Sequence, residues 1–442
     1  MKRKSNFIAK AMFLAAATFT AVSFTACDSD SVEDLVDDLV DDLTDSDDQE
    51  EDESSLNVLA NGSTLSSEYS ESATLAADGT YYINGIVKVL SGATLYIEEG
   101  VELIAKDGDN VGYILIEKGG KIDAQGTASN PIVMTSEVKT PGAWGGLHIC
   151  GDAPVNSGDD SISEVGASPY GGSNESDNSG IIKYVRLEYT GYSYDEDQEC
   201  NGISFYGVGN GTQVSYVQAY RGSDDGFEFF GGTVNISYAV ATSCSDDSFD
   251  WTDGWRGSGQ FLVAYLESKD DLGYNTDCFL ECDNGKPSDA SPMSHPTLAN
   301  VTMISLNGDS KTDGIMLKAG TEISLYNSVA TGKTANLVFS EGDDAVSHYL
   351  TGNTVIKGLA IASDSVCVKT SSSAILTDAE LTAKFIADGN MLSQTISYSK
   401  YTATSPSGAT IATVVPFVDN GFTFEVTDFI GAGSGWMDNW TK

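Results

Sequence analysis

The chain copies itself at a short period, and that narrows its fold more than any other feature. YVRLEYTG starts at Tyr184, YVQAYRGSDD at Tyr216, YAVATSCSDD at Tyr238 and LVAYLESKDD at Leu262, at intervals of 32, 22 and 24 residues. An acidic insertion, YSYDEDQE (192–199), accounts for the long interval. LANVTMISLNG (298–308) and LYNSVATG (325–332) read as weaker copies. Repeats of 20–50 residues mark solenoids, in which each unit buries its apolar side only by stacking on its neighbours. Upstream, INGIVKVLSGATLYIEEGVELIAK (83–106) alternates apolar and polar residues and breaks at Gly92 and Gly100. That is the pattern of short strands joined by tight turns. The sequence therefore predicts an all-β chain, a right-handed parallel β-helix over 54–340. A less regular region, 341–442, is expected to supply further coils and a cap packed on the β-helix. Within it, TDAELTAKFIADGN (377–390) reads as a helix starting at Thr377 or Asp378 and ending at Gly389, placed to cover an open end.

The first residues read as an address. Lys2, Arg3, Lys4 and Lys10 precede the apolar stretch 11–26, which is shorter than a membrane span. The stretch ends in Phe24-Thr25-Ala26-Cys27, which resembles a lipoprotein signal-peptidase box. Residues 1–26 are expected to be removed and Cys27 to be acylated, tying the protein to the outer membrane. Residues 28–53 hold fifteen Asp or Glu and no Lys or Arg. With like charges at i,i+4, this run reads as a solvated tether, so 27–53 is expected to be disordered. An acidic stretch after a lipidated Cys resembles the surface-export signal of Bacteroidetes lipoproteins, which implies a body facing the cell exterior. The formal net charge of −42 makes nucleic acid an unsuitable partner.

Further motifs carry a second resemblance. SGATLYIEEG, GTASNPIVMTS, PGAWGGLHICGDAPVN, SDNSGIIKYVRLEYTG, SDDGFEFFGGTVN, SDDSFDWTDGWRGSGQ and the closing TDFIGAGSGW stand in order from about residue 75 onward. They resemble the recurrent motifs of secreted right-handed β-helix surface lipoproteins of Bacteroidetes, a family of poorly defined role. The resemblance bears on fold and address more than on activity.

The most chemical feature is a ladder of acids. Asp224-Asp225, Asp246-Asp247 and Asp270-Asp271 hold the same place in three successive repeats, and Glu228 lies 22 residues before Asp250. In GFEFF and SFDWT, alternation puts Phe227, Phe229, Phe249 and Trp251 on one face and Glu228 and Asp250 on the other. With the aromatics inward, the carboxylates are expected to form a column on an outward wall. Coils stack about 4.8 Å apart, and two like charges at that distance repel by roughly 3 kcal/mol at an effective dielectric near 20. A bound cation relieves the repulsion, and all-oxygen ligands favour Ca²⁺. Asp253 adds a donor nearby. The competing reading makes the Asp pairs corner residues that bond to backbone amides.

Two enzyme types use acids on a β-helix. Pectate-lyase-like enzymes pair Ca²⁺ with a Lys or Arg base, for which Arg221 and Arg256 are the candidates. Polygalacturonase-like hydrolases use paired Asp residues. Trp255 and Arg256 are candidate ligand-binding residues, with surface and core placements equally open for Trp255. Trp251 reads as core. The three His (148, 295, 348) lie far apart in sequence, which speaks against a His-rich zinc site. Pairing among Cys150, Cys200, Cys244, Cys278, Cys282 and Cys367 stays open. Three functions follow. The first is a surface protein that binds a glycan or other nutrient and hands it to an outer-membrane transporter. The second is a polysaccharide lyase or hydrolase, and the third a structural or adhesive module. The first is preferred, because the address signal is strong and no enzyme-specific motif stands out.

Overall fold

The computed structural model describes residues 57–158, 161–195, 198–307, 313–340, 342–364, 366–369 and 375–442. Cys27 and the acidic run 28–53 lie outside them. The body is a right-handed parallel β-helix. Its early coils have three walls. Ala73–Leu75, Thr94–Ile97 and Lys121–Gln125 stack in one, Thr80–Ile83, Glu102–Ala105 and Ile132–Ser136 in the next, and Ile86–Val89, Tyr113–Ile116 and Leu147–Cys150 in the third. At Gly180–Glu188 the first two walls fuse. The front of this strand pairs with Lys121–Gln125 and its back with Ile132–Ser136.

The fused strand bends at Tyr184, whose φ is +50°. Each later coil repeats the bend at the equivalent place: Tyr216, Tyr238, Phe261, Asn300 and Asn327 all have positive φ. These residues fall in the gap between the two paired halves of each strand. The left-handed conformation costs a residue with a Cβ roughly 1–2 kcal/mol. Stacking offsets it. The rings of Tyr184, Tyr216, Tyr238 and Phe261 lie face to face at 4.3, 4.5 and 5.0 Å, arrangements worth about 0.5–1.5 kcal/mol each. Asn300 and Asn327 take over where the aromatics stop, since Asn tolerates this conformation best after Gly. The repeat of Tyr238 is therefore Phe261, one residue before the expected Leu262, which pairs with Ala239. Leu298 and Leu325, where the weaker copies are expected to start, pair with each other but lie two residues before Asn300 and Asn327, the equivalents of Tyr238.

The inward residues make one continuous core running from Leu65 to Phe385. Coils continue beyond residue 340 through Val355–Lys357, Ala360–Ile361 and Cys367–Lys369. Helix α1 (Asp378–Ala387) then follows, with Thr377 as its N-cap in a capping box with Glu380 and Gly389 at φ +91° just past its end. Its Leu381 and Phe385 add to the core. From there the chain runs back along the outer ridge. Asn300 Nδ2 donates to the carbonyls of Phe429 and Gly431, Trp440 packs edge-on against Tyr184 and Tyr216, and Lys442 Nζ pairs with Glu188 at 2.8 Å. The C-terminal strap thus covers the bend that would otherwise expose a row of aromatic rings.

Candidate functional site

The acids lie on the third wall and at the corner before it. Glu228, Asp250 and Glu281 are register partners on Phe227–Phe230, Phe249–Thr252 and Leu280–Cys282, the first two as expected. Opposite them Phe227 stacks on Phe249 at 5.0 Å inside the core. At the corner, Asp225 and Asp247 do two jobs. Asp225 Oδ1 accepts from the amide of Asp247 at 2.8 Å, and Asp247 Oδ1 accepts from the amide of Cys278. These are the corner bonds of the competing reading. The same carboxylates also crowd together. Asp224, Asp225 and Asp246 form a group whose ligand atoms lie within 4.8 Å of one another, as do Asp225, Glu228 and Asp250, and Asp246, Asp247 and Asp277. The corner bonds and the crowding coexist.

The column is not on an open wall. Residues 151–158 and 161–179 lie outside the solenoid as a long excursion and return across it. Val165 and Tyr170 from the excursion join Tyr113, Cys150, Tyr206 and Phe230 in a second apolar cluster outside the wall. Tyr206 donates to Glu164 at 3.4 Å and Tyr170 donates to Asp253 at 3.1 Å. Asp224, Asp225 and Asp247 are buried and Glu228 and Asp250 partly so. The carboxylates point away from the core as expected, but the expectation of an open outward wall is corrected, because the excursion packs over it. Asp253 is engaged by Tyr170 and belongs to none of the crowded groups.

Burial and mutual repulsion raise these carboxyls together. Burial, then Glu199 and Asp246, push Asp224 up to about 8. Burial and Asp250 hold Asp225 far above the carboxylate range, and burial with Glu164 does the same to Glu228. Asp247 and Asp250 rise through burial and Glu281. Glu164 reaches about 7, chiefly through burial. Partial relief comes from Asn201 Nδ2, which donates to Glu228, and from Lys318, which pairs with Glu281 at 2.7 Å. Asp250 Oδ1 is buried with no hydrogen-bond partner. His148 stands two coils before Glu228, and burial takes it down to about 4, so it carries no charge at neutral pH.

The structure corrects two placements and settles a third that the sequence leaves open. Asp270 and Asp271 sit on a four-residue helical turn, Lys269–Leu272, and are exposed. That turn is an insertion, and the residues that occupy the next rung are Asp277 and Cys278: the amide of Asp277 donates to Asp246 O. Glu281, missed in the sequence, follows because its offset from Asp250 is lengthened by the same insertion. Trp255 is core, stacked on Phe229 at 4.0 Å with Nε1 donating to Val234 O. Neither Arg221 nor Arg256 pairs with the ladder. Arg221 makes a two-pronged pair with Glu267, and Arg256 reaches Glu175 at 3.4 Å. Trp251 is buried in the core. Cys150, Cys200, Cys244, Cys278 and Cys282 are free and buried, and the Cys367 side chain lies outside the described ones.

Arg256 opens a second region. It lines a cleft of about 670 Å³ with Glu175, His295, Glu322, Ser324, Asn353 and Asp419 among its walls. Arg256, His295, Glu322 and Asn353 follow from the strand register as one column on four successive coils, two residues before Ser258, Thr297, Ser324 and Val355. Glu322 accepts from His295 Nδ1 and from His348 Nδ1, each at 2.9 Å, and from Asn353 Nδ2 at 2.7 Å. Burial raises its pKa, but the His295 contact, Asn353 and His348 outweigh it and hold the carboxyl below its usual range. Residues 27 and 26 positions from Glu322 in either direction come together here, a closeness that sequence spacing alone does not show.

Among the described residues no helix is long and apolar enough to cross a membrane. No curated protein and no solved structure matches the chain. A family model does match, over residues 67–441, from the first coils through the C-terminal strap. With parallel coils, an acid column on one wall and a polar cleft along another, the chain belongs to the family of the pectate-lyase-like β-helix domain.

Proposed function

We propose that this protein is a surface lipoprotein, anchored in the outer membrane through Cys27, whose calcium-stabilised β-helix binds an acidic glycan in the Arg256 cleft and passes it to an outer-membrane transporter. The observation that carries the binding reading is the cleft itself. Its volume falls within the range of small-ligand sites, it is walled by side chains that donate and accept, and it contains one guanidinium, that of Arg256, whose buried Nε has no hydrogen-bond partner. A pectate-lyase-like domain is compatible with a glycan ligand. The calcium reading rests on the group Asp225, Glu228 and Asp250, with Glu164 across from it, and on the orphaned Asp250 Oδ1. These oxygens fit a hard divalent cation, and an ion there supplies the positive charge that the carboxylates lack. The lyase alternative is weaker, since both arginines put forward as bases are engaged by glutamates away from the acids.

Two measurements test this. Glycan-array and calorimetric titration with oligouronates should show saturable binding that Arg256→Ala weakens at least tenfold, the loss expected for one charge-assisted hydrogen bond. Equal affinity in the variant would rule out the cleft. In cells fed an alkyne fatty acid, the protein should take up the label and Cys27→Ala should lose it. Label retained in that variant would remove the anchor from the proposal.

A further inference from the structure

The cleft holds an arrangement that a binding site has no need of. His295 Nδ1 donates to Glu322 Oε2 at 2.9 Å, and His295 Nε2 lies 3.1 Å from Ser324 Oγ. With Nδ1 carrying the proton toward the carboxylate, Nε2 is left to accept from the serine hydroxyl. That is the tautomer a general base requires. Glu322 is fixed in turn by His348 and Asn353, so the imidazole has an anchored orienting group. The coil geometry explains the arrangement. Glu322 and Ser324 are two residues apart and so project from the same side, and His295 reaches over both from the preceding coil. All three line the cleft, and Arg256 stands one coil before His295.

We propose that Ser324, His295 and Glu322 form a hydrolytic triad that removes an ester-linked acyl group from an acidic sugar held in this cleft. The sugar part of the proposal rests on the cleft being the glycan site. The triad does not. Ser324 Oγ bonds to the ester carbonyl carbon while its proton passes to His295 Nε2. The carbon–oxygen bond to the sugar breaks, and the sugar oxygen takes that proton. Water then attacks the acyl-serine, gives a proton to His295 Nε2, and the carboxylic acid leaves as Ser324 Oγ recovers the proton. Water is the sole co-reactant. Glu322 is a positioning residue: it sets the tautomer and steadies the imidazolium. Arg256 offers a partner for the uronate carboxylate.

A fluorophosphonate probe on the full-length protein in detergent tests the triad, read by mass spectrometry of the Ser324 peptide. Wild-type protein should be phosphonylated at Ser324, Ser324→Ala should take up none there, and His295→Gln should slow labelling at least 100-fold. Glu322→Gln should slow it at least tenfold without lowering the melting temperature to match, and Glu322→Asp should recover part of the rate. An unlabelled Ser324 in folded wild-type protein overturns the triad, as does a labelling rate within twofold of wild type in Glu322→Gln. The latter criterion stands even if His295→Gln does not fold. Labelling of Ser324 in a protein that binds no oligouronate would support the triad and remove the acidic sugar as its substrate. Release of acetate from an acetylated oligouronate, lost in Ser324→Ala, would support both.

Discussion

Glu228→Gln and Asp250→Asn should lower the melting temperature in Ca²⁺ and raise it in chelator. The crossing of sign is the informative part. Both side chains stand in a group of carboxylates packed within 4.8 Å of one another, on adjacent coils, and Asp250 Oδ1 has no donor. Without a cation, each pair of charges at that separation costs roughly 3 kcal/mol at an effective dielectric near 20, or the group must hold protons at neutral pH. An amide of the same shape removes that cost. With Ca²⁺ present the same amide removes a charged ligand. Calcium at a hundredfold excess over its Kd contributes about 2.7 kcal/mol to the wild type, or about 3 °C for a chain of this length. A melt in which both variants lose stability equally with and without Ca²⁺ would dispose of the ion. A double variant, Asp225→Ala with Asp247→Ala, would not make this distinction. Those carboxylates also cap the amides of Asp247 and Cys278, so truncation strands two buried donors under either condition.

Chelated protein should also grow less stable as pH rises from 5 to 8. The sign follows from the direction of the shifts. Asp224 is raised to about 8 and Glu164 to about 7, and Asp225, Glu228, Asp247 and Asp250 are raised as well. Unfolded carboxylates titrate near 4. Between about 4 and 8 the folded chain therefore binds more protons than the unfolded one. The stability these groups contribute is complete below about 4 and is lost as pH climbs through their folded values. Each proton of difference is worth about 1.4 kcal/mol per pH unit. Glu322 shifts the other way, and its contribution is lost only in acid, below the window. Ca²⁺ competes with the protons and should flatten the slope. Melting temperatures at pH 5 and pH 8 in chelator that coincide would mean the acids are not buried together as described.

The acid ladder and the Arg256 cleft differ in how far the sequence reveals them. The spacing of Glu228 and Asp250 equals the coil length, so their stacking was visible as arithmetic. Asp270 and Asp271 repeat the Asp-Asp doublet 24 residues after Asp246 and Asp247, close to the coil length, and so read as the next pair. The helical turn Lys269–Leu272 shifts the real rung to Asp277, Cys278 and Glu281, and no composition signal marks a short insertion of polar residues. The cleft lay out of reach for a different reason. His295, Glu322 and His348 belong to irregular coils of unequal length, so no period links them. Trp255 follows a glycine that breaks strand alternation, which left its side undetermined until the stacking on Phe229 settled it.

What the sequence by itself determined is the solenoid: a period of 22–24 residues with apolar alternation forces stacking, because no single coil can bury its own apolar side. It also determined that Phe227, Phe229, Phe249 and Trp251 share one face of their strands and that a helix starts at Thr377 or Asp378, since strand alternation and capping are local. Tertiary structure alone decided that the acids are covered, through an excursion whose sequence carries no strand or helix pattern. It decided that the strap from residue 398 runs back over the aromatic ridge, and that two distant histidines share one glutamate. Local rules fix what a residue prefers, whereas register across coils of unequal length fixes whom it meets.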